Sequence, residues 1–123
     1  GRILGISVDK PADELTQTIM ALANQTAAWL DIDKKIESED VLVNDAYCQE
    51  GYGVLQPAEV EAIRLFARTE GILLDPVYTG RAAAGLIDLI RKGFFSPDET
   101  VLFWHTGGIP ALFAEPYASA LLG

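Results

Sequence analysis

The sequence predicts an α/β fold: a parallel (Rossmann-like) sheet with flanking helices. Three observations carry that prediction. Four short apolar runs of strand length recur along the 123 residues. An amphipathic stretch of helical spacing follows each one, so the order reads βαβαβαβα. Turn-forming residues then gather where these runs end, the side on which such sheets bind ligands.

The elements can be justified in order. ILGISV, residues 3–8, is β-branched and reads as a buried strand. Asp9 to Asp13 supplies capping side chains and Pro11, a good helix entry. Leu15, Ile19, Leu22, Ala23 and Trp29 then repeat at helical spacing to about Leu30. VLV, residues 41–43, is the second strand, and QEGYGVLQP, residues 49–57, is loop. Pro57 opens a helix to about Glu70, with Val60, Ile63, Phe66 and Ala67 on one face and Gly71 as its stop. ILL, residues 72–74, is the third strand, ended by Asp75-Pro76 because a residue before proline is pushed out of helical geometry. A helix from about Gly80 to Arg91 follows. VLFWH, residues 101–105, is the fourth strand, and TGGIP leads into a last short helix. No repeat, low-complexity tract or linker divides the chain.

Composition narrows the function. A formal charge of −9, with nine basic residues in no long run, repels a phosphate backbone and argues against nucleic acid. No apolar stretch approaches the roughly 20 residues needed to cross a bilayer, and the N-terminal apolar run is too short for a secretory signal. A lone Cys48 permits no internal disulfide, which favours a cytoplasmic setting. One histidine and one cysteine make a structural zinc site improbable.

Three loops hold residues able to do chemistry. Tyr52 lies between Gly51 and Gly53, Tyr78 and Thr79 follow the third strand, and Thr106, Gly107 and Gly108 follow the fourth. Tyr78 reads either as a ring packed over a strand end or as a phenol placed for proton transfer. Thr79 reads either as a helix cap or as a ligand contact. HTGG, residues 105–108, is a glycine-dependent turn or a set of donors facing a ligand at a helix start. It matches neither the phosphate loop of nucleotide hydrolases nor GxGxxG. His105, closing an apolar strand, reads as a hydrogen-bonded histidine in preference to a base. Cys48 has no neighbouring histidine to activate it.

The stretch EAIRLFARTEGILLDPVYTGRAAAGLIDLIRKG, residues 61–93, with VLFWHTGGIPALFA, residues 101–114, resembles the D-cysteine desulfhydrase and 1-aminocyclopropane-1-carboxylate deaminase family. These are pyridoxal-phosphate (PLP) enzymes of the tryptophan-synthase β-subunit fold, fold type II. The likeness extends back through GYG at 51–53 and more loosely to GISV at 5–8. It implies that residues 1–123 are the C-terminal part of the PLP-binding large domain. It also implies that Tyr78 and Tyr52 are catalytic phenols over the substrate face of the cofactor, with Thr106, Thr79 and Gly107 contacting the cofactor. The deaminases resemble DPVYEG and HLGG at these places, with a glutamate that keeps the pyridine nitrogen protonated. A threonine hydroxyl can donate to a neutral ring nitrogen but cannot stabilise a pyridinium. On that contrast the resemblance implies β-elimination of D-cysteine to pyruvate, hydrogen sulfide and ammonia, with Thr106 at the ring nitrogen. The alternatives are the deaminase reaction and a non-catalytic binding or assembly module.

The resemblance further implies a Schiff-base lysine and a phosphate-binding loop in an N-terminal part that precedes GISV. Lys10, Lys34, Lys35 and Lys92 stand in contexts unlike that lysine. The expectation is therefore a C-terminal third that is inactive alone. Its partners would be the N-terminal part, a small amino-acid substrate and, when complete, a second copy of the enzyme.

Overall fold

The computed structural model describes residues 1–122, which divide into two compact units, one of residues 1–49 and one that begins at residue 50. The first is a βαβ unit. Strand β1 (Leu4–Ile6) and strand β2 (Leu42–Asn44) pair in parallel, with Leu4 opposite Leu42, Gly5 opposite Val43 and Ile6 opposite Asn44. Helix α1 (Ala12–Trp29) is the crossover. Parallel neighbours require such a connection, because a tight turn reverses the chain.

Side chains fix both ends of this crossover. The buried Ser7 hydroxyl accepts from Asp9 N–H and Lys10 N–H and donates to Lys10 O at 2.6 Å. Asp45, just past β2, accepts from Ala12 N–H at 2.8 Å, so a carboxylate from outside the helix occupies its positive end. Asn24 clamps the return segment, donating to Ile36 O and accepting from Ile36 N–H. Helix α1 ends with Asp31 at φ 56, while Ile32 N–H closes on Ala27 O at 2.9 Å. Helix α1 has no fully buried residue, and Ile19, Leu22, Leu30 and Ile32 stand exposed along it and its exit.

The second unit is built on helix α2 (Pro57–Thr69) and helix α3 (Thr79–Arg91). Ala62, Ile63, Leu74, Ala83, Ala84, Leu112 and Leu121 form one apolar core. Small residues on α3 allow a close approach. A Cβ at Gly80 would overlap Asp75 O and meet the Ile63 side chain at 3.1 Å. A 3-10 turn (Ile109–Phe113) and helix α4 (Tyr117–Leu122) complete the unit.

The helices form where periodicity puts them, and so do the first two strands. The runs at 72–74 and 101–105, expected as strands, carry no ladder among the described residues. Strand propensity describes fit to a paired, half-buried surface, and here most of these side chains are exposed. What links the two runs is a side chain: His105 Nε2 lies 3.0 Å from Leu73 O. Among the described residues no helix is long and apolar enough to cross a membrane.

Asp31 occupies the left-handed region, which disfavours any residue with a Cβ. Replacing it with glycine should stabilise the first unit by about 1 kcal/mol, read as a rise in the urea midpoint at unchanged slope.

Candidate active site

The site grows from the turn at DPVYTG. Asp75 is fully enclosed, and its carboxylate gathers the next four residues around it. Oδ2 accepts from Val77 N–H at 2.8 Å and Tyr78 N–H at 2.7 Å. Oδ1 accepts from Thr79 N–H and from the Thr79 hydroxyl, both at 2.7 Å. The same hydroxyl accepts from Asp75 N–H at 2.9 Å, and Gly80 N–H donates to Asp75 O at 2.8 Å. Burial pushes the Asp75 carboxyl up, but the donors from Tyr78, Thr79 and Val77 outweigh it and hold the group below the usual carboxylate range. Pro76 keeps the chain from running straight into α3, and Tyr78 is the residue that emerges.

Tyr78 is 45% exposed, and its phenol hydrogen-bonds that of Tyr52, which is 56% exposed. The two rings meet edge to face, with centroids 6.1 Å apart. Tyr52 is carried by the Gly51–Val54 loop, which is anchored from beneath. Arg81 donates from Nη1 to Gly51 O at 3.1 Å and from Nη2 to Val54 O at 2.8 Å. Tyr117 donates to Gly53 O at 2.6 Å. The third loop joins through Gly108, at φ +95, where a Cβ would lie 2.6 Å from the Asp75 carboxyl carbon. The HTGG turn and the DPVYTG turn therefore meet on one carboxylate.

The structure brings Tyr52 and Tyr78 together and leaves Thr106 exposed nearby in sequence to that packed glycine. Thr79, expected at the cofactor, lies inside the turn. It is 1% exposed, and its hydroxyl is spent on Asp75 because that buried carboxylate needs the donor. Gly107 N–H is likewise engaged, donating to His105 Nδ1 at 3.1 Å. With Nδ1 accepting, His105 carries its proton on Nε2 and donates to Leu73 O. This histidine holds two backbone segments.

Sequence reasoning missed Arg81 and its partner Glu59. Both are buried, with Nε 2.8 Å from Oε1. The available signal was a lone charge inside the small-residue run TGRAAAG, which demands a buried counter-charge. The lysines offer nothing comparable: Lys10 pairs with Glu14, Lys35 with Glu37 and Lys92 with Asp88, all at exposed positions.

Two outcomes follow for Asp75. The stability it contributes should be complete above its unfolded value of about 3.9 and disappear as pH falls through its lower folded value. Denaturant midpoints measured across the acid range should therefore show a limb that Asp75→Asn removes, at a cost near neutrality of about 3 kcal/mol. Gly108→Ala should release the HTGG turn from Asp75, seen as faster amide exchange at residues 105–108.

Residues 2–107 match the model of the pyridoxal-phosphate dependent enzyme family. A 1-aminocyclopropane-1-carboxylate deaminase of Pseudomonas syringae pv. tomato is 40% identical over 116 residues, covering 94% of this chain and 34% of that protein. One from Methylobacterium sp. is 39% identical over 117 residues, covering 95% and 35% respectively. A crystal structure described as an ACC deaminase homologue superposes with a TM-score of 0.80 at 36% identity, covering 98% of this chain and 35% of that one. The chain thus spans about a third of the length of the curated relatives it matches. It belongs to the pyridoxal-phosphate dependent enzyme family.

Proposed function

We propose that this chain supplies the substrate-face phenols of a pyridoxal-phosphate site that deaminates 1-aminocyclopropane-1-carboxylate. The observation that carries the proposal is the contact of Tyr52 and Tyr78, two half-exposed phenols on buried supports. The donor set suits the cofactor: hydroxyls of Tyr52, Tyr78 and Thr106 at exposed positions, with the nearby carboxylate of Asp75 already satisfied. When bound, pyridoxal phosphate supplies an electron sink for charge developing on the substrate. The chain's own part is to exchange a proton at a phenol oxygen. A hydrogen-bonded pair can do this, because one oxygen donates while the other accepts. The deaminase names of relatives 38–40% identical to this chain support the choice of substrate.

The Schiff-base lysine belongs, in this proposal, to a part of the enzyme outside residues 1–123. The exposed apolar residues of α1, and apolar runs at 72–74 and 101–105 that carry no ladder, support a further covering layer.

A second reading, β-elimination of D-cysteine, keeps two sequence observations in its favour. Thr106 places a neutral hydroxyl where the deaminases resemble leucine, and Thr79, its own hydroxyl engaged by Asp75, leaves this chain without the glutamate that they resemble there. The assay pairs 2-oxobutanoate from the cyclopropane acid with pyruvate and sulfide from D-cysteine, using the chain assembled with the lysine-bearing part. Turnover of the cyclopropane acid is expected. Sulfide release alone would select the second reading, and a bound cofactor with neither product would overturn both. In the same assembly Tyr78→Phe should lower kcat about 10²–10⁴-fold. Its effect on folding stability should stay within about 0.5 kcal/mol, because the phenol is half exposed.

A further inference from the structure

The Glu59–Arg81 pair is the largest buried polar feature that the proposed chemistry leaves unused. Arg81 is wholly enclosed and Glu59 is 2% exposed. An ion pair in that position gives up hydration on both sides, so it is a weak way to gain stability. Its geometry indicates another use.

Glu59 is itself fixed, because its Oε2 accepts from Gln56 N–H at 3.0 Å in a capping box at the start of α2. That leaves Oε1 to orient Arg81 through Nε at 2.8 Å. The other end of the guanidinium then reaches Gly51 O and Val54 O, the carbonyls on either side of the Tyr52-Gly53 tip. A planar fork can grip two carbonyls at once, which an ammonium on a flexible stem cannot. The loop needs such a grip. Gly51 and Gly53 sit at φ +102 and +72, conformations that glycine leaves as easily as it enters. Arg81 lies in the first turn of α3, three residues after Tyr78, so the support of one phenol is built into the element that presents the other.

The geometry points to Arg81 as the positioning residue for the Tyr52 phenol, holding it against Tyr78 while Glu59 holds Arg81. This rests on the reading of Tyr52 and Tyr78 as the cofactor-facing phenols. Its test does not use turnover.

Proton NMR of the chain with ring-labelled tyrosine should show a cross-peak between the Tyr52 and Tyr78 rings. The double variant Glu59→Gln/Arg81→Met removes both charges at nearly constant volume. It should keep the contacts of Ala62, Leu74 and Ala83 that report the core, and lose the ring–ring cross-peak. Should the double variant fail to fold, Arg81→Lys decides: it keeps the charge beside Glu59 without the fork, and should be folded with the cross-peak lost. A cross-peak absent from the wild type, or retained in a folded variant, overturns the proposal. So does unfolding of both variants, which would assign the pair to the fold. Failure of the cofactor reading would instead show in the product assays and leave these cross-peaks untouched.

Discussion

The placement of Tyr78, and of the HTGG turn beside it, depends on the enclosed carboxylate of Asp75. A charge removed from water is tolerated only when donors replace its hydration. Here the donors are the backbone of Val77, Tyr78 and Thr79 and the Thr79 hydroxyl. Meeting that demand fixes the path of the turn, which fixes where Tyr78 leaves the surface. The same carboxylate accepts Gly108 against its face, so the turn after residue 105 is registered to the turn after residue 75. One buried group thereby determines the placement of two loops far apart in sequence.

Arg81 does for the other phenol what Asp75 does for Tyr78. They are buried charges of opposite sign, and each hydrogen-bonds the backbone that carries a tyrosine. Rigid supports under wet tips are what a site needs when it must hold geometry and still admit a substrate. The buried charges contribute preorganisation, and the apolar contact of α2 with α3 holds the unit together. Thr79 and His105 belong to the supports. The Thr79 hydroxyl is engaged by the buried Asp75 carboxylate, and the His105 ring joins Leu73 O to Gly107 N–H.

The sequence made the helices legible because their apolar spacing is an intrinsic property of each segment, and α2 and α3 form within a residue of expectation. Strands at 72–74 and 101–105 were less legible, since a ladder belongs to two segments and periodicity describes one. The loops bearing Tyr52, Tyr78 and HTGG were legible from their residue types and from the family motif. What could not be seen was direction. DPVYTG does not say that Thr79 turns inward, because that depends on Asp75 being enclosed by α2, α3 and Gly108. Nor does TGRAAAG say that Arg81 crosses beneath a loop some 30 residues earlier. A charged residue among alanines marks a buried partner without naming it.

The most direct test is to follow the Asp75 side-chain carboxyl carbon by NMR as the pH is lowered. The group should remain ionised below the ordinary aspartate range, and the Tyr78 amide and Gly108 resonances should move with it when it takes up a proton. A carboxyl that protonates at or above the ordinary range, or one whose protonation leaves Tyr78 and Gly108 unchanged, would contradict the account.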